Sequence, residues 1–168
     1  MNVRQATTND AGAILQIHRR VLEEGTFFIT RPHEFRGSIY GVVQHIRELN
    51  GRANSRFLVV ESEQEVCGFV TARGGELLRM AHTAKVEIMI RAEDRGKGFG
   101  RALMQHCLDW ARDTPSVEKL GLSVYATNAP AYKMYQSLGF LEEGRRVNEY
   151  KMTDGSYRDD VLMYCDVR

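Results

Sequence analysis

The chain of 168 residues has few cysteines, and those it has show no pattern. Cys67, Cys107 and Cys165 are an odd number, lie far apart and include no CxxC pair. Such spacing argues against a disulfide framework and against a zinc site, and it is typical of a reducing compartment. The five histidines also lack ligand spacing. We therefore expect a cytoplasmic protein that binds no metal.

The sequence also lacks long apolar runs and a dominant charge. No run approaches the ~20 apolar residues that cross a bilayer, and the opening segment MNVRQATTND contains no apolar signal region. Lys and Arg together number 23 and Asp and Glu 22, which gives a formal net charge of +1. This balance gives no indication of a nucleic-acid or membrane partner, and we expect neither.

What is present is the composition of an ordinary folded domain, 43% hydrophobic and 27% charged, without repeats or a linker. We expect one domain over residues 1–168. Hydrophobic periodicity and turn residues predict the order β-α-α-β-β-β-α-β-α-β-β, an α/β domain around one mixed sheet. The predicted strands span 3–6, 56–62, 65–74, 83–91 and 119–126, with two or three more after residue 140. The first predicted helix ends at about residue 24, and the others span 35–49, 98–113 and 128–140.

The most unusual segment is RGKGFG, residues 95–100, which lies between the apolar run VEIMI and the helical pattern RALMQHCLDWAR. Glycines at every second position favour a backbone that turns tightly and exposes its N–H groups. The segment is not a P-loop, because Lys97 is followed by glycine and not by a hydroxyl residue. It also departs from the GxGxxG dinucleotide pattern. Two interpretations remain: a diphosphate bound at a helix N-terminus, or a glycine-rich connection with solvated cations.

Two longer segments carry a resemblance to a known family. IMIRAEDRGKGFGRALM resembles motif A of the GNAT superfamily of acyl-CoA N-acyltransferases, an R/Q-x-x-G-x-G/A turn after a strand. TNAPAYKMYQSLGFLEEG resembles the next motif of that superfamily, and the opening VRQATTNDAGAILQI resembles its first strand and helix. The resemblance therefore covers essentially the whole chain. The matching positions are Arg95, Gly98 and Gly100 in the first motif and Asn128, Ala131, Tyr135, Gly139 and Phe140 in the second.

This resemblance implies a fold and an activity. The fold would be a GNAT-like central sheet, mixed, mostly antiparallel and twisted, flanked by helices. The activity would be the transfer of an acetyl group from acetyl-CoA, as a co-substrate, to a primary amine of a small molecule or amino acid. Homodimerisation is common in the family, and it is a further expectation for this chain. Protein N-terminal or lysine acetylation, and a catalytically silent acyl-CoA-binding module, remain as alternatives.

The resemblance also implies where the coenzyme binds. Its pyrophosphate would lie on the backbone amides of the glycine turn, and its pantetheine arm would pair like an extra strand with the backbone of the strand before that turn. Asn128 would cap the following helix and also contact the coenzyme arm, although its role as a cap is sufficient to explain it. The expected coenzyme-binding residues are Ile88, Met89, Ile90, Arg95, Gly96, Lys97, Gly98, Gly100, Arg101, Asn128 and Tyr135.

The same resemblance suggests the catalytic groups. Tyr135 would be the general acid, because a phenol with a pKa of about 10 is protonated at neutral pH and can protonate a departing thiolate. Tyr132, on the same helical face, is the competing candidate, and a half-buried structural tyrosine is the other interpretation. Glu87 lies where family members often carry a catalytic glutamate, and a solvated surface glutamate is an equally good interpretation. Glu24 and His82 are weaker alternatives for the base.

Acceptor specificity would come from the first two helices and from the loop GTFFITRPHEF between them, residues 25–35. Its phenylalanines could form the wall of a pocket or pack the loop onto the core, and nearby glutamates could pair with a cationic amine. The tail segment GSYRDDVLM supplies two acids that could face the acceptor or solvent. The residues concerned are Phe27, Phe28, Phe35, Glu23, Glu24, Glu34, Asp159 and Asp160.

Overall fold

The computed structural model describes all 168 residues and contains one seven-stranded sheet in the order β1-β2-β3-β4-β5-β7-β6. All neighbouring strands are antiparallel except β4 and β5, which are parallel. The expected fold class and order of elements are confirmed. The strands are β1 Asn2–Gln5, β2 Arg56–Ser62, β3 Glu65–Gly74, β4 Thr83–Ile90, β5 Lys119–Tyr125, β6 Leu141–Lys151 and β7 Tyr157–Asp166. The helices are α1 Ala11–Glu23, α2 Ile39–Asn50, α3 Phe99–Arg112 and α4 Ala129–Ser137.

Local residue chemistry explains where several elements begin and end. The second helix begins at Ile39 and not at the predicted residue 35, because Ser38 is its cap: the Gly41 N–H donates to the Ser38 hydroxyl at 3.1 Å. β2 and β3 are joined by the two residues Glu63 and Gln64, both with positive φ, which is the turn that fits a two-residue hairpin. The tail forms two strands, the lower of the two numbers predicted.

The sheet has a hydrophobic cluster on each face. On one face α1 and α2 pack on β2, β3 and β4, around Phe57, Phe69 and Met89. On the other face α3 packs on β2, β3 and β4, and its fully buried Leu103 and Met104 belong to the larger cluster. Alternate residues of each strand therefore belong to opposite faces. None of the four helices combines the length and the apolar character needed to cross a membrane.

The parallel pair β4–β5 separates part of the way along. Its register includes only three pairs, from Thr83 with Lys119 to Lys85 with Gly121. Beyond that point β4 continues to Ile90 and stays paired with β3, but its other edge has no strand partner. The backbone groups on that edge therefore face a gap between two central strands without a strand partner, and the Ile90 carbonyl accepts there from the Arg95 side chain.

Candidate active site

The glycine turn leads directly from β4 into the N-terminus of α3. Gly96 and Gly98 have φ of +73° and +89°, in the left-handed region that residues with a Cβ rarely adopt. In this conformation the N–H groups of the six successive residues from Gly96 to Arg101 make no hydrogen bond within the chain. A row of unpaired N–H donors at the positive end of a 14-residue helix is an anion-binding geometry.

Three cations surround this turn, and each has a partner within the chain. The Arg95 guanidinium forms a two-pronged ion pair with Glu24, the residue directly after α1, at 2.5 and 2.8 Å, and also donates to the Ile90 carbonyl. Lys97 donates to the buried Asp94 at 3.3 Å. The third, Arg101, donates to the Ser137 hydroxyl at the end of α4. The three side chains add positive charge around the turn, but each also pairs with an acid, a carbonyl or a hydroxyl of the chain.

Asp94 is nearly buried under the turn and remains ionised. Burial acts to raise its pKa, but hydrogen bonds from Arg91, at 2.6 Å, and from Lys97 hold the pKa below its usual value. The carboxylate therefore ties the turn to the end of β4 through two cations. Asp94 was not among the residues predicted from the sequence, although an acidic residue directly before a glycine turn with basic residues is a pattern that can be recognised there.

The gap beside β4 and the glycine turn adjoin each other. Ile88 and Ile90 lie on the face covered by α3, and Met89 lies on the opposite face with α1. A Cβ built on Gly100 would meet Met134 of α4 at 3.5 Å and the side chains of Ile88 and Ile90 at 3.9 and 3.8 Å. The start of α3, the unpaired edge of β4 and α4 thus converge on one place.

Tyr135 lies at this convergence, on the buried side of α4. Only 6% of the residue is exposed, and its ring packs near Phe140 with the centroids 6.0 Å apart. Burial raises the pKa of Tyr135 to about 12, and its hydroxyl makes no hydrogen bond within the chain. The competing Tyr132 instead donates to Glu142 on β6 at 2.9 Å, so its hydroxyl is already engaged. Asn128 caps α4 by accepting from the Ala131 N–H at 3.3 Å.

Glu87 lies on the α1/α2 face of β4, in a row of cross-strand partners with Thr71 and Phe57. Its side chain is exposed and forms no hydrogen bond or ion pair. His45 of α2 packs edge-on against Phe57, with ring centroids 5.5 Å apart, and its Nε2 is buried without a partner. Burial lowers the pKa of His45, while the Glu87 carboxylate acts to raise it. Glu87 and His45 therefore share one environment.

Sequence reasoning missed His45 and also His18 of α1. The His18 ring lies 4.4 Å from the ring of Phe35, centroid to centroid, and burial lowers its pKa. Each could have been recognised from the sequence as a histidine at an inward-facing position of an amphipathic helix. His82, an alternative base, directly precedes the first residue of β4, whereas the glycine turn follows the last one. At ~3.3 Å per residue, eight residues of strand separate His82 from the candidate site.

Comparison with known proteins agrees with this geometry. The model of the acetyltransferase (GNAT) family matches residues 18–140, which include the glycine turn, the gap beside β4 and α4. The chain belongs to the GNAT family. The resemblance stated from the two sequence motifs is therefore confirmed, and so is the expected acetyltransferase class.

Relatives of this GNAT chain act on different amines. It is 31% identical to the spermidine N(1)-acetyltransferase of Vibrio cholerae over 118 residues, which are 70% of this chain and 66% of that protein. The chain thus spans slightly less than two thirds of the Vibrio protein. It is 27% identical to the L-amino acid N-acetyltransferase AaaT of Escherichia coli K12 over 162 residues, which are 96% of this chain and 94% of AaaT.

Solved structures share the GNAT fold over nearly the whole chain. A GNAT-family acetyltransferase from Streptococcus pneumoniae superposes with a TM-score of 0.92 at 22% identity, covering 97% of each chain. The yncA protein of Salmonella typhimurium, solved with its cofactor acetyl-CoA, superposes with a TM-score of 0.89 at 18% identity, covering 100% of this chain and 94% of yncA. At these identities the similarity concerns the fold.

The loop between α1 and α2 of this GNAT chain contributes aromatic residues to the α1/α2 face. Phe35 contacts His18, and Phe28 packs against the cluster formed by these two helices. Among the acids considered for acceptor binding, Glu24 is paired with Arg95, and Glu34 accepts from the Arg31 N–H at 2.8 Å within the loop. The chain has no cluster of three or more His, Cys, Asp or Glu side chains arranged to hold a metal ion.

Proposed function

We propose that this chain, as a single acetyltransferase domain over residues 1–168, transfers an acetyl group from acetyl-CoA to a primary amine of a small molecule or amino acid. The observation that carries the proposal is the row of unpaired N–H groups from Gly96 to Arg101, adjoining the unpaired edge of β4. The row of N–H groups suits a diphosphate, and the edge of β4 suits an extended arm that contains amide groups. The named relatives, which act on spermidine and L-amino acids, support a small amine as the acceptor.

The coenzyme would use mostly backbone groups. Its pyrophosphate would accept from the amides of the glycine turn, with Arg95, Lys97 and Arg101 around it. Its pantetheine arm would hydrogen-bond to the edge of β4 at Ile88–Ile90, as an added strand does. Asn128 lies at the start of α4 beside the same gap, with its carbonyl oxygen used as a cap and its amide N–H groups free of hydrogen bonds within the chain.

The reaction would proceed by direct attack. The nitrogen lone pair of the unprotonated acceptor amine attacks the thioester carbonyl carbon, and a backbone N–H on the edge of β4 donates to the oxygen that becomes negative. Collapse of this intermediate breaks the C–S bond. Tyr135 donates its proton to the departing sulfur, and the amine proton leaves to Glu87, directly or through water. The products are an amide and the free thiol of coenzyme A.

The test is thiol release from acetyl-CoA by the purified chain in the presence of polyamines, amino acids, aminoglycosides and short peptides. We expect release that depends on a small amine, with the acetylated amine detected by mass spectrometry. Release with peptides alone would replace this proposal with protein acetylation. Binding of acetyl-CoA without release for any acceptor would favour the silent binding module.

A further inference from the structure

Asp160 of β7 is a buried acid that the catalytic scheme does not use. The residue is 1% exposed. Its Oδ2 lies 3.4 Å from a guanidinium nitrogen of Arg146, and its Oδ1 is buried without a hydrogen-bond partner. Charge-assisted N–H···O bonds are usually ~2.7–2.9 Å long, so the single ion pair is loose. A buried carboxylate with one free oxygen is costly unless a further donor or cation completes it.

Two tyrosines enclose this carboxylate. Tyr125 is the register partner of Asp160 on β5, and the ring of Tyr150 from β6 stacks on the Tyr125 ring with centroids 4.8 Å apart. Burial, the nearby Asp160 charge and the approach of the Tyr150 hydroxyl to that carboxylate raise the pKa of Tyr150 to about 12. Burial and the Asp160 charge also raise the pKa of Tyr125. A carboxylate beside two neutral aromatic rings is a chemical environment that binds organic cations.

This group lies on the same face of the sheet as Glu87. Lys85 and Gly121 are partners in the parallel pair, so Glu87 and Met89 of β4 share a face with Tyr125 of β5, four residues after Gly121. Asp160 is one strand beyond Tyr125, a step of about 4.8 Å. A molecule whose reacting amine lies in the gap beside β4 therefore reaches Asp160 only with its far end, through a spacer of several bonds.

Arg146 lies on the outer side of the group formed by Asp160, Tyr125 and Tyr150, and its side chain can move away from Asp160 into solvent. Its side chain is 53% exposed, and it lies on the sheet-edge strand β6. Regular pairing with β7 is interrupted between Arg146 and Tyr150, where Asn148 has a positive φ and its N–H donates to Asp159 at 2.8 Å. The backbone of Arg146 is thus held opposite Asp160 by the sheet, whereas its half-exposed guanidinium is divided between Asp160, at 3.4 Å, and Glu149, at 3.7 Å.

We propose that Asp160, with Tyr125 and Tyr150, binds a second cationic group of the acceptor in exchange for Arg146, so that the preferred acceptors are diamines or polyamines. This inference rests on the proposed function and narrows it. A monoamine has nothing to place against Asp160. The carboxylate of an amino acid could not take the place of Arg146 there, because it carries the same negative charge as Asp160.

The experiment compares acceptors of equal chain length that differ in one amine. The values of kcat and KM are measured for 1,4-diaminobutane and for butylamine with the wild-type chain, with Asp160→Asn and with the control Asp166→Asn. Asp166 lies on the same strand, is exposed and pairs with Arg168. We expect Asp160→Asn to raise the KM for the diamine about tenfold or more, the size of a lost charge-assisted contact. The KM values for butylamine and acetyl-CoA should not change, and Asp166→Asn should behave as the wild type.

Two results would overturn the inference. One is a wild-type chain that acetylates butylamine and the diamine equally well. The other is an Asp160→Asn chain that loses activity equally with both acceptors and also unfolds at a lower temperature, which is the signature of a structural acid. Calorimetric binding of 1,4-diaminobutane separates this inference from the proposed function: diamine binding that depends on Asp160 supports the subsite even without turnover, and its absence refutes it.

Discussion

Tyr135 combines two properties that seldom occur together, a buried phenol and a hydroxyl without a partner in the chain. If this hydroxyl protonates the departing thiolate, Tyr135→Phe should lower kcat about 10²-fold or more, the usual contribution of a general acid. The dissociation constant of acetyl-CoA, measured by calorimetry, should remain within about twofold of the wild-type value, since coenzyme binding would use backbone groups. Stability should change little, because no internal hydrogen bond is lost.

The matched control is Tyr132→Phe on the same helix. It removes a hydroxyl that donates to Glu142 on the surface, so turnover should stay close to that of the wild type. An unchanged kcat for Tyr135→Phe would show that Tyr135 is not the general acid. A loss with Tyr132→Phe but not with Tyr135→Phe would transfer that role to Tyr132.

Single residues also show the limit of prediction from sequence. The motif match singled out Tyr135 and Glu87 as candidates, because their spacing to glycines along the chain can be read directly. His45 was missed because its environment includes Phe57 and Glu87, which come together only through the register of three strands. Asp160 was only one of two adjacent acids in the sequence, and the structure alone distinguishes its burial from the partial exposure of its neighbour Asp159.

At the scale of elements, the N-terminus of α3 depends on the left-handed conformation of Gly98. A Cβ on Gly98 would meet no atom of the chain within 4 Å, so a larger side chain would enter open space at the turn that carries the unpaired N–H groups, and the left-handed backbone there would be strained. Gly98→Val should therefore weaken acetyl-CoA binding by about tenfold or more, which corresponds to ~1.4 kcal/mol or more. The measurement is the dissociation constant by calorimetry.

Gly155, in the turn between β6 and β7, provides the control for this substitution. It also has a positive φ, +82°, and open space around its Cβ position, so Gly155→Val imposes comparable backbone strain away from the glycine turn. Both variants should lose some thermal stability, and only Gly98→Val should lose affinity for acetyl-CoA. Equal affinities of the two variants for acetyl-CoA would show that the glycine turn does not bind its diphosphate.

Most elements could be predicted from the sequence because local chemistry defines them. Hydrophobic periodicity located the four helices and the strands, and the turn at Glu63 and Gln64 was recognised from its hairpin spacing. The start of α2 was wrong by four residues, because the apolar pattern continues through Phe35 whereas the Ser38 cap decides the boundary. The point where β4 and β5 separate has no local signal in the sequence, and the family resemblance implied only that the coenzyme arm pairs with β4 like an extra strand.

At the scale of the whole molecule, α1 and α2 place two histidines against the sheet on the face opposite to α3. Burial lowers the pKa of both His18 and His45 below their usual value of about 6.5. The folded chain therefore binds fewer protons than the unfolded chain in mildly acidic solution. Since stability rises with pH wherever the unfolded state binds more protons, the contribution of these residues is fully present above pH ~6.5 and is lost as the pH falls below it.

This linkage predicts that the free energy of unfolding, measured with urea, falls between pH 7 and pH 5.5. The double variant His18→Gln, His45→Gln should show a flatter profile in that interval, because its glutamines do not titrate. His106→Gln, an exposed position on α3, should keep the wild-type slope. The hydrogen-bonded carboxylates Asp10 and Asp94 have lowered pKa values, so their contribution is present above about pH 4 and is lost only at more acidic pH. The two effects are therefore separable, and a double variant with the full wild-type slope between pH 7 and pH 5.5 would show that the acid sensitivity originates outside the α1/α2 face.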